Sequence, residues 1–228
     1  MVQRRGHAMA RGKAAETAAR EEVLATARDM SRRGLSPGRS GNVSRRWKEG
    51  MLITPSGLPY DEIVAADIVF VAAGGEVPTD QRIPSSEWRF HLSAYHARPE
   101  MAGIVHTHSL HATVLACAHR SIPAFHYMVA VAGGTDIPLV PYATFGTERL
   151  ARLVAEGLTT RNACLMANHG QIAIATTCAK ALELAAEVET LAKQYWKVLC
   201  LGDPIVLGSV EMDEVLERFA NYGQNAQT

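Results

Sequence analysis

Short apolar runs alternate with amphipathic helical segments along this chain of 228 residues. The alternation is not strict in the first third, where segment 40–54 predicts a hairpin that turns near Gly50 and a further strand follows at 68–72. Consecutive hairpins do not fit a doubly wound parallel sheet, because parallel strands need long crossover connections. The pattern therefore predicts one α/β domain with a central mixed, mainly antiparallel sheet flanked by helices.

Hydrophobic periodicity and helix-end signals predict the other elements. A helix over 14–33 ends at Gly34, which leaves residues 1–13 as an N-terminal extension of a domain over 14–228. Pro84-Ser85-Ser86 predicts a helix start capped by serine. Further strands are predicted at 104–108, 137–140, 163–167 and 171–175, and further helices up to about Arg120 and over 147–157, 178–200 and 210–222.

Charge and composition exclude several classes of partner. The 23 Lys and Arg residues balance the 23 Asp and Glu residues and are dispersed, so we expect no nucleic-acid partner. Apolar runs such as 172–175 are much shorter than the roughly 20 residues that cross a bilayer, so we expect no membrane partner. The N-terminus has no apolar core of signal-peptide type. The 4 cysteines are widely spaced among aliphatic neighbours, which predicts reduced core residues in a cytoplasmic protein.

His106 and His108 are two residues apart on a predicted strand, so their side chains leave the same face and can converge on one ion. His169 follows the strand at 163–167, where the chain must turn, and is the best candidate for a third ligand. Three imidazoles with a free position are typical of catalytic zinc. A lone histidine is more often a hydrogen-bonded core or surface group, which is the first interpretation of the other six, including His111 and His126.

Two further features allow both a structural and a functional interpretation. Glu87 stands at a predicted helix start, where it could stabilise the helix terminus or act as a carboxylate beside the metal. Segments 40–44, 54–57 and 85–86 are rich in Gly, Ser, Thr and Asn. Such loops are typical of ordinary turns, and they also present the amides and hydroxyls that bind a phosphate.

The sequence resembles the class II aldolase/adducin family in five segments that occur in the family's order: Ser40-Gly-Asn-Val-Ser44, Thr54-Pro-Ser-Gly57, Pro84-Ser-Ser-Glu87, His106-Thr-His108 and Asn168-His-Gly170. The resemblance extends from about Ala14 to Gly223 and implies that 14–228 is a catalytic domain of this type. Segments 121–128, 132–134 and 141–146 resemble the L-fuculose-1-phosphate aldolase branch of the family.

The resemblance implies a zinc ion, or another divalent cation such as Mn²⁺, held by His106, His108 and His169. It implies that Glu87 is the fourth ligand at rest and the proton-transferring carboxylate during turnover. The substrate phosphate would be held by Asn42, Ser56, Gly57, Ser85 and Ser86.

The resemblance also implies an assembly. Tyr127 would be a catalytic residue that reaches the active site of a neighbouring subunit in a fourfold-symmetric homotetramer, with the sites at subunit interfaces. Phe145 and Tyr222 would border the aldehyde end of the substrate.

The implied reaction is the reversible cleavage of a ketose 1-phosphate to dihydroxyacetone phosphate and an aldehyde through a metal-stabilised enediolate. The substrate would be L-fuculose 1-phosphate or a 5-deoxy- or 5-methylthioribulose 1-phosphate. An epimerase or decarboxylase of a sugar phosphate on the same fold is one alternative, and a non-catalytic adducin-like binding module is another. Glu87 and the segment His126-Tyr-Met128 favour the aldolase, and the presence of all three histidines disfavours the binding module.

Overall fold

A computed structural model describes residues 2–220 of the chain. Its strands are β1 (Asn42–Trp47), β2 (Gly50–Ile53), β3 (Val69–Ala72), β4 (Gly103–Thr107), β5 (Leu139–Val140), β6 (Ala163–Met166) and β7 (Gly170–Ala175). Its α-helices are α1 (Val2–Arg32), α2 (Trp88–Ala97), α3 (Leu110–Cys117), α4 (Glu148–Gly157), α5 (Cys178–Leu201) and α6 (Ser209–Ala220). Short 3₁₀ helices cover Ala65–Asp67 and Tyr127–Ala132.

The strands form one 7-stranded sheet in the order β3-β2-β1-β4-β7-β6-β5. Every neighbouring pair is antiparallel except β5 and β6, which are parallel. The predicted fold class is therefore confirmed. The predicted hairpin is also confirmed, with Trp47 paired to Gly50 and the turn between them.

Helices cover both faces of the sheet. The core on one face joins α1, α3 and α5 to inward residues such as Val43, Val105 and Ala173. The core on the other face joins α2 and α4 to residues such as Ile104 and Ile172. Because side chains alternate along a strand, His106 lies on the same face as Ile104, under α2.

The predicted start of α1 and the predicted end of α3 were wrong. Helix α1 begins at Val2 rather than Ala14, because the preceding Ala, Arg, Lys and Met residues have good helix propensity and continue the same helix. Residues 2–13 are thus helical, and their separation from the catalytic domain stays a prediction. Helix α3 ends at Cys117 because His119 adopts a left-handed conformation, with φ of 53°. The predicted end of the last helix at Tyr222 lies outside the described residues.

The cysteine prediction was half right. Cys164 and Cys178 are buried, but Cys117 and Cys200 are exposed on α3 and α5. The buried neighbours of Cys117, Leu115 and Ala116, occupy another face of α3, since a helix turns by 100° per residue. Cys200 lies in the last turn of α5, where its neighbour Leu201 is exposed as well. Among the described residues, the helices are all too short or too polar to cross a membrane.

Candidate active site

Three histidine rings meet at one end of β4. His106 is the fourth residue of that strand, and His108 follows directly after the strand ends at Thr107. His169 comes from the tight turn between β6 and β7, where Asn168 adopts a left-handed φ of 55° that asparagine tolerates well. The ring centroids are 4.8 to 4.9 Å apart in all three pairs. The convergence predicted from the alternation of the strand is therefore present.

Glu87 completes the cluster. It occupies the N-cap position of α2, but its side chain makes no capping hydrogen bond. The carboxylate is directed at the histidines instead, with Oε2 3.2 Å from His106 Nε2 and Oε1 2.9 Å from His169 Nε2. One potential ligand atom from each of the four residues lies within 4.8 Å of all the others. The structure therefore favours Glu87 as a carboxylate beside a metal over Glu87 as a residue that stabilises the helix terminus.

The hydrogen bonding of the cluster fits a bound cation. His106 Nδ1 donates to the backbone carbonyl of Gln171 at 2.7 Å, so the other ring nitrogen, Nε2, is directed into the cluster. This Nε2 lies 3.0 Å from His108 Nε2. Burial, followed by the charges of His106 and His169, lowers the pKa of His108 to about 3. Imidazole nitrogens and a carboxylate oxygen facing one point are a ligand set that suits zinc and similar divalent ions.

The electrostatics of the cluster also favour an ionised Glu87. Burial opposes ionisation of this carboxyl, but the imidazoles of His106 and His169 outweigh that effect and hold its pKa below the usual range. A buried carboxylate needs hydrogen bonds, and Asn42 Nδ2 donates one to Glu87 Oε2 at 2.9 Å. The charged form of Glu87 is therefore stabilised from two sides.

Asn42 reaches this position because of Gly41. At Gly41 the backbone has a left-handed φ of 79°, and a Cβ atom there would lie 2.7 Å from the carbonyl oxygen of His106. Only glycine lets the chain pass this close to β4 as it enters β1. The next residue, Asn42, then pairs with His106 across the two strands.

The two serine-containing loops are joined to each other and to Asn42. The Ser85 amide donates to the Thr54 carbonyl at 3.0 Å, and the Ser56 amide donates to the Ile83 carbonyl at 2.9 Å. Asn42 Nδ2 also donates to Ser85 Oγ at 3.0 Å. The predicted serine cap was wrong, because Ser85 lies one turn outside α2 and its hydroxyl accepts from the Glu87 amide just before the helix begins.

One cavity of about 450 Å³ contains this whole arrangement. It is lined by all five residues predicted for phosphate and by the ligand candidates Glu87, His108 and His169. Phe145, which is 64% exposed, also lines it. His106 lies beneath this lining and is fully buried. The structure therefore brings the predicted metal and phosphate residues together.

Sequence reasoning assigned no role to several residues that line this cavity, among them Arg39 and Tyr142. Arg39 is the one arginine or lysine among the described residues that line it, and its Nη1 donates to the Gly57 carbonyl at 3.0 Å. A cationic residue between Gly38 and Ser40 in a loop of phosphate-binding composition was the available signal.

Two predicted residues are not at the cluster. Tyr127 begins a 3₁₀ helix, is 50% exposed and lines a different cavity, beside α6. Its role at the site of a neighbouring subunit stays a prediction. Tyr222 lies outside the described residues.

Known proteins resemble this chain in sequence and in fold. The family described as "Class II Aldolase and Adducin N-terminal domain" matches residues 21–196. A 5-methylthioribulose-1-phosphate/5-deoxyribulose-1-phosphate aldolase of Rhodospirillum rubrum is 49% identical over 210 residues, which are 92% of this chain and 95% of the relative. The L-fuculose phosphate aldolase of Escherichia coli K12 is 47% identical over 203 residues, which are 89% of this chain and 94% of the relative.

A solved L-fuculose 1-phosphate aldolase has the same fold, with a TM-score of 0.85 at 40% sequence identity. The match covers 89% of this chain and 96% of that one. The family match spans the second part of α1 to most of α5, including every metal and phosphate candidate described above. The chain therefore belongs to the class II aldolase and adducin family.

Proposed function

We propose that this chain is a zinc-dependent aldolase that reversibly cleaves a ketose 1-phosphate to dihydroxyacetone phosphate and an aldehyde. The observation that carries the proposal is the cavity in which Glu87, His108 and His169 of the four-residue cluster line the same space as the serine-containing loops, with His106 directly beneath. The relatives named for L-fuculose phosphate and for methylthioribulose phosphate support this class of substrate.

His106, His108 and His169 would hold the metal, with Glu87 as a fourth ligand when substrate is absent. When bound, the cation supplies Lewis-acid stabilisation of the negative charge that develops as the C3–C4 bond breaks. The chain fixes the His106 ring through the Gln171 carbonyl, so that its Nε2 stays available.

The substrate phosphate would be bound by the two loops and by Asn42. Ser56, Gly57 and Ser86 are exposed on the cavity wall, where their hydroxyls and amides can reach an anion. Gly57 has a φ of 71° and no atom near the place of its missing Cβ, so the loop leaves room for a ligand. Arg39 would supply positive charge at the phosphate-binding end of the cavity.

Two residues would move protons. Glu87 is ionised, buried and within reach of the ligand cluster, so in the condensation direction it would take a proton from the carbon of dihydroxyacetone phosphate that becomes C3. In the cleavage direction the protonated Glu87 would return that proton to C3 of the enediolate. Tyr127, reaching in from a neighbouring subunit of a homotetramer, would take up the proton of the C4 hydroxyl during cleavage and return it to the C4 oxygen during condensation. Tyr127 is half exposed and lies away from the Glu87 cavity of its own subunit, which is compatible with a role at the site of another subunit.

The aldehyde end of the substrate would contact Phe145 and the C-terminal Tyr222. Phe145 offers an exposed apolar ring at the cavity wall, which suits a methyl or methylthio group. L-fuculose 1-phosphate and the 5-deoxy- and 5-methylthioribulose 1-phosphates share the phosphate end and differ at the aldehyde end.

The test is to supply zinc-loaded enzyme with dihydroxyacetone phosphate and a panel of lactaldehyde, acetaldehyde and methylthioacetaldehyde, and to compare kcat/KM. The expected result is condensation with at least one aldehyde, lost in His106→Ala and retained in His96→Ala, which changes an exposed histidine of α2. No condensation with any aldehyde, together with epimerisation or decarboxylation of a sugar phosphate, would reject the aldolase proposal in favour of another enzyme of this fold.

A further inference from the structure

We infer that His91 is a positioning residue that orients the side-chain amide of Asn42 and, through it, the carboxylate of Glu87. This inference rests on the proposed function, since it assigns His91 a part in preparing the proposed metal ligand. His91 is not a ligand candidate and does not line the cavity.

His91 lies inside α2, one turn after Glu87, and is fully buried. Its Nε2 donates to Asn42 Oδ1. Its Nδ1 is 2.7 Å from Ser44 Oγ, which lies 3.0 Å from the Tyr95 hydroxyl. These contacts form a continuous buried chain of hydrogen bonds from Tyr95 to the Glu87 carboxylate.

The chemistry of the groups fixes the direction of each bond. Asn42 Oδ1 can only accept, so His91 Nε2 carries the hydrogen. The other ring nitrogen of neutral His91 must then accept, and the Ser44 hydroxyl donates to it. Burial lowers the pKa of His91 to about 3, which keeps the ring neutral near pH 7 and is consistent with this pattern.

The direction matters because an amide can rotate by half a turn. In the orientation present, Asn42 Nδ2 donates to Glu87 Oε2 at 2.9 Å and to Ser85 Oγ at 3.0 Å. The reversed amide would place Oδ1 against the carboxylate, with two acceptors facing each other, and would require the other tautomer of His91. His91 with its hydrogen on Nε2 therefore supports the orientation that the carboxylate requires, and losing this partner would leave the buried Asn42 Oδ1 unpaired, which is costly.

His91 is itself held in place. The Phe90 ring stacks on it with centroids 4.9 Å apart, and Phe90 in turn meets the edge of His106 at 5.2 Å. The Ser44 hydroxyl fixes the far side of the ring. The orientation of Asn42 is thus set by a packed, fully buried residue.

The test compares His91→Gln with His91→Asn. Glutamine can place its amide N–H near the position of His91 Nε2, whereas asparagine is too short to reach Asn42. The zinc dissociation constant is measured by competition with a chromophoric chelator, and kcat is measured on the aldol substrate. His96→Asn, on the exposed side of the same helix, is the matched control.

We expect His91→Asn to weaken zinc binding by about 10- to 100-fold, as loss of the hydrogen-bond partners of metal ligands typically does, and to lower kcat. His91→Gln should recover most of both losses, and His96→Asn should resemble the wild type. Equal zinc affinities in His91→Asn and the wild type would overturn the inference, as would equal losses in the Asn and Gln variants.

A double-mutant cycle separates positioning from a general loss of packing. In an Asn42→Ala background, the difference in zinc affinity between His91→Asn and His91→Gln should disappear, and an undiminished difference would overturn the inference. Zinc affinity is measured without turnover. Failure of the aldolase proposal would thus appear as zinc binding without cleavage by the wild type, and failure of this inference as unchanged zinc binding in the variants.

Discussion

Asn42 and His106 are direct partners across the antiparallel pair β1–β4. One residue is proposed for the phosphate and the other for the metal, so the sheet register itself sets the two ends of the site side by side. A shift of one residue in this register would turn either side chain to the opposite face of the sheet. Both are buried, which makes their relative position a property of the core.

Replacing Glu87 with Gln should lower kcat by about 10²- to 10⁴-fold, the usual contribution of a general acid or base. The neutral amide cannot carry a proton to the substrate, and one of its ends would face the imidazole nitrogens as a donor. Steady-state kinetics with matched zinc content measure the effect. A kcat within twofold of the wild type at full zinc occupancy would remove Glu87 from proton transfer.

Replacing Tyr127 with Phe should leave zinc content near normal and lower kcat by about 10²- to 10⁴-fold, because only the phenolic proton is lost. If Tyr127 serves a neighbouring subunit, co-expressing Tyr127→Phe with His106→Ala should restore part of the activity in mixed oligomers. Each variant expressed alone is the control. Mixed oligomers with no more activity than the controls would contradict a shared site.

Replacing Arg39 with Gln should raise KM for the phosphorylated substrate by about 10- to 100-fold, since hydrogen bonds to charged groups contribute about 1.5–3 kcal/mol. The effect on kcat should be small, because the phosphate does not react. The dependence of KM on ionic strength should also weaken. Arg32→Gln changes an exposed arginine outside the cavity and is the control. An unchanged KM would show that Arg39 only ties its loop to Gly57.

Buried His91 should make the metal-free protein sensitive to acid. Its pKa is about 3 in the folded state because of burial, against about 6.5 when unfolded. The unfolded state therefore binds the extra proton between these values, and stability present above pH 6.5 is lost as the pH falls towards 3. Between pH 7 and pH 5 the loss due to His91 should be about 2 kcal/mol.

Urea unfolding of the wild type and of His91→Gln at these two pH values measures this effect. Other groups, including His108, titrate in both proteins, so the difference between their pH dependences isolates His91. Identical pH dependences would contradict the assignment of His91 as a buried neutral ring.

Several parts of this site follow from local sequence. The alternation of a strand places His106 and His108 on one face, and the turn after β6 brings His169 to the same end of the sheet. The turn just before Gly50 and the order of strands and helices also follow from local patterns. The strand alternation and the two turns depend on residues close together in the chain, whereas the meeting of His169 with His106 also needs the pairing of β7 with β4.

Other parts depend on contacts between distant segments. Asn42 and His91 are 49 residues apart, and only the packing of α2 over β1 brings them together. The position of Glu87 outside the first turn of α2 is set by the bonds between the loops at Thr54 and Ser85, which no local signal reports. The proposed task of Tyr127 would depend on a second subunit, which the sequence of one chain does not place.

The central claim is that a divalent cation held by the three histidines is required for cleavage of a ketose 1-phosphate. The most direct measurement is the release of dihydroxyacetone phosphate from L-fuculose 1-phosphate and 5-methylthioribulose 1-phosphate as metal-free enzyme is titrated with zinc. Activity should be absent without zinc and should rise in proportion to bound zinc up to about one ion per chain. Full cleavage by a verified metal-free sample, or stoichiometric zinc binding without cleavage of either substrate, would contradict the account.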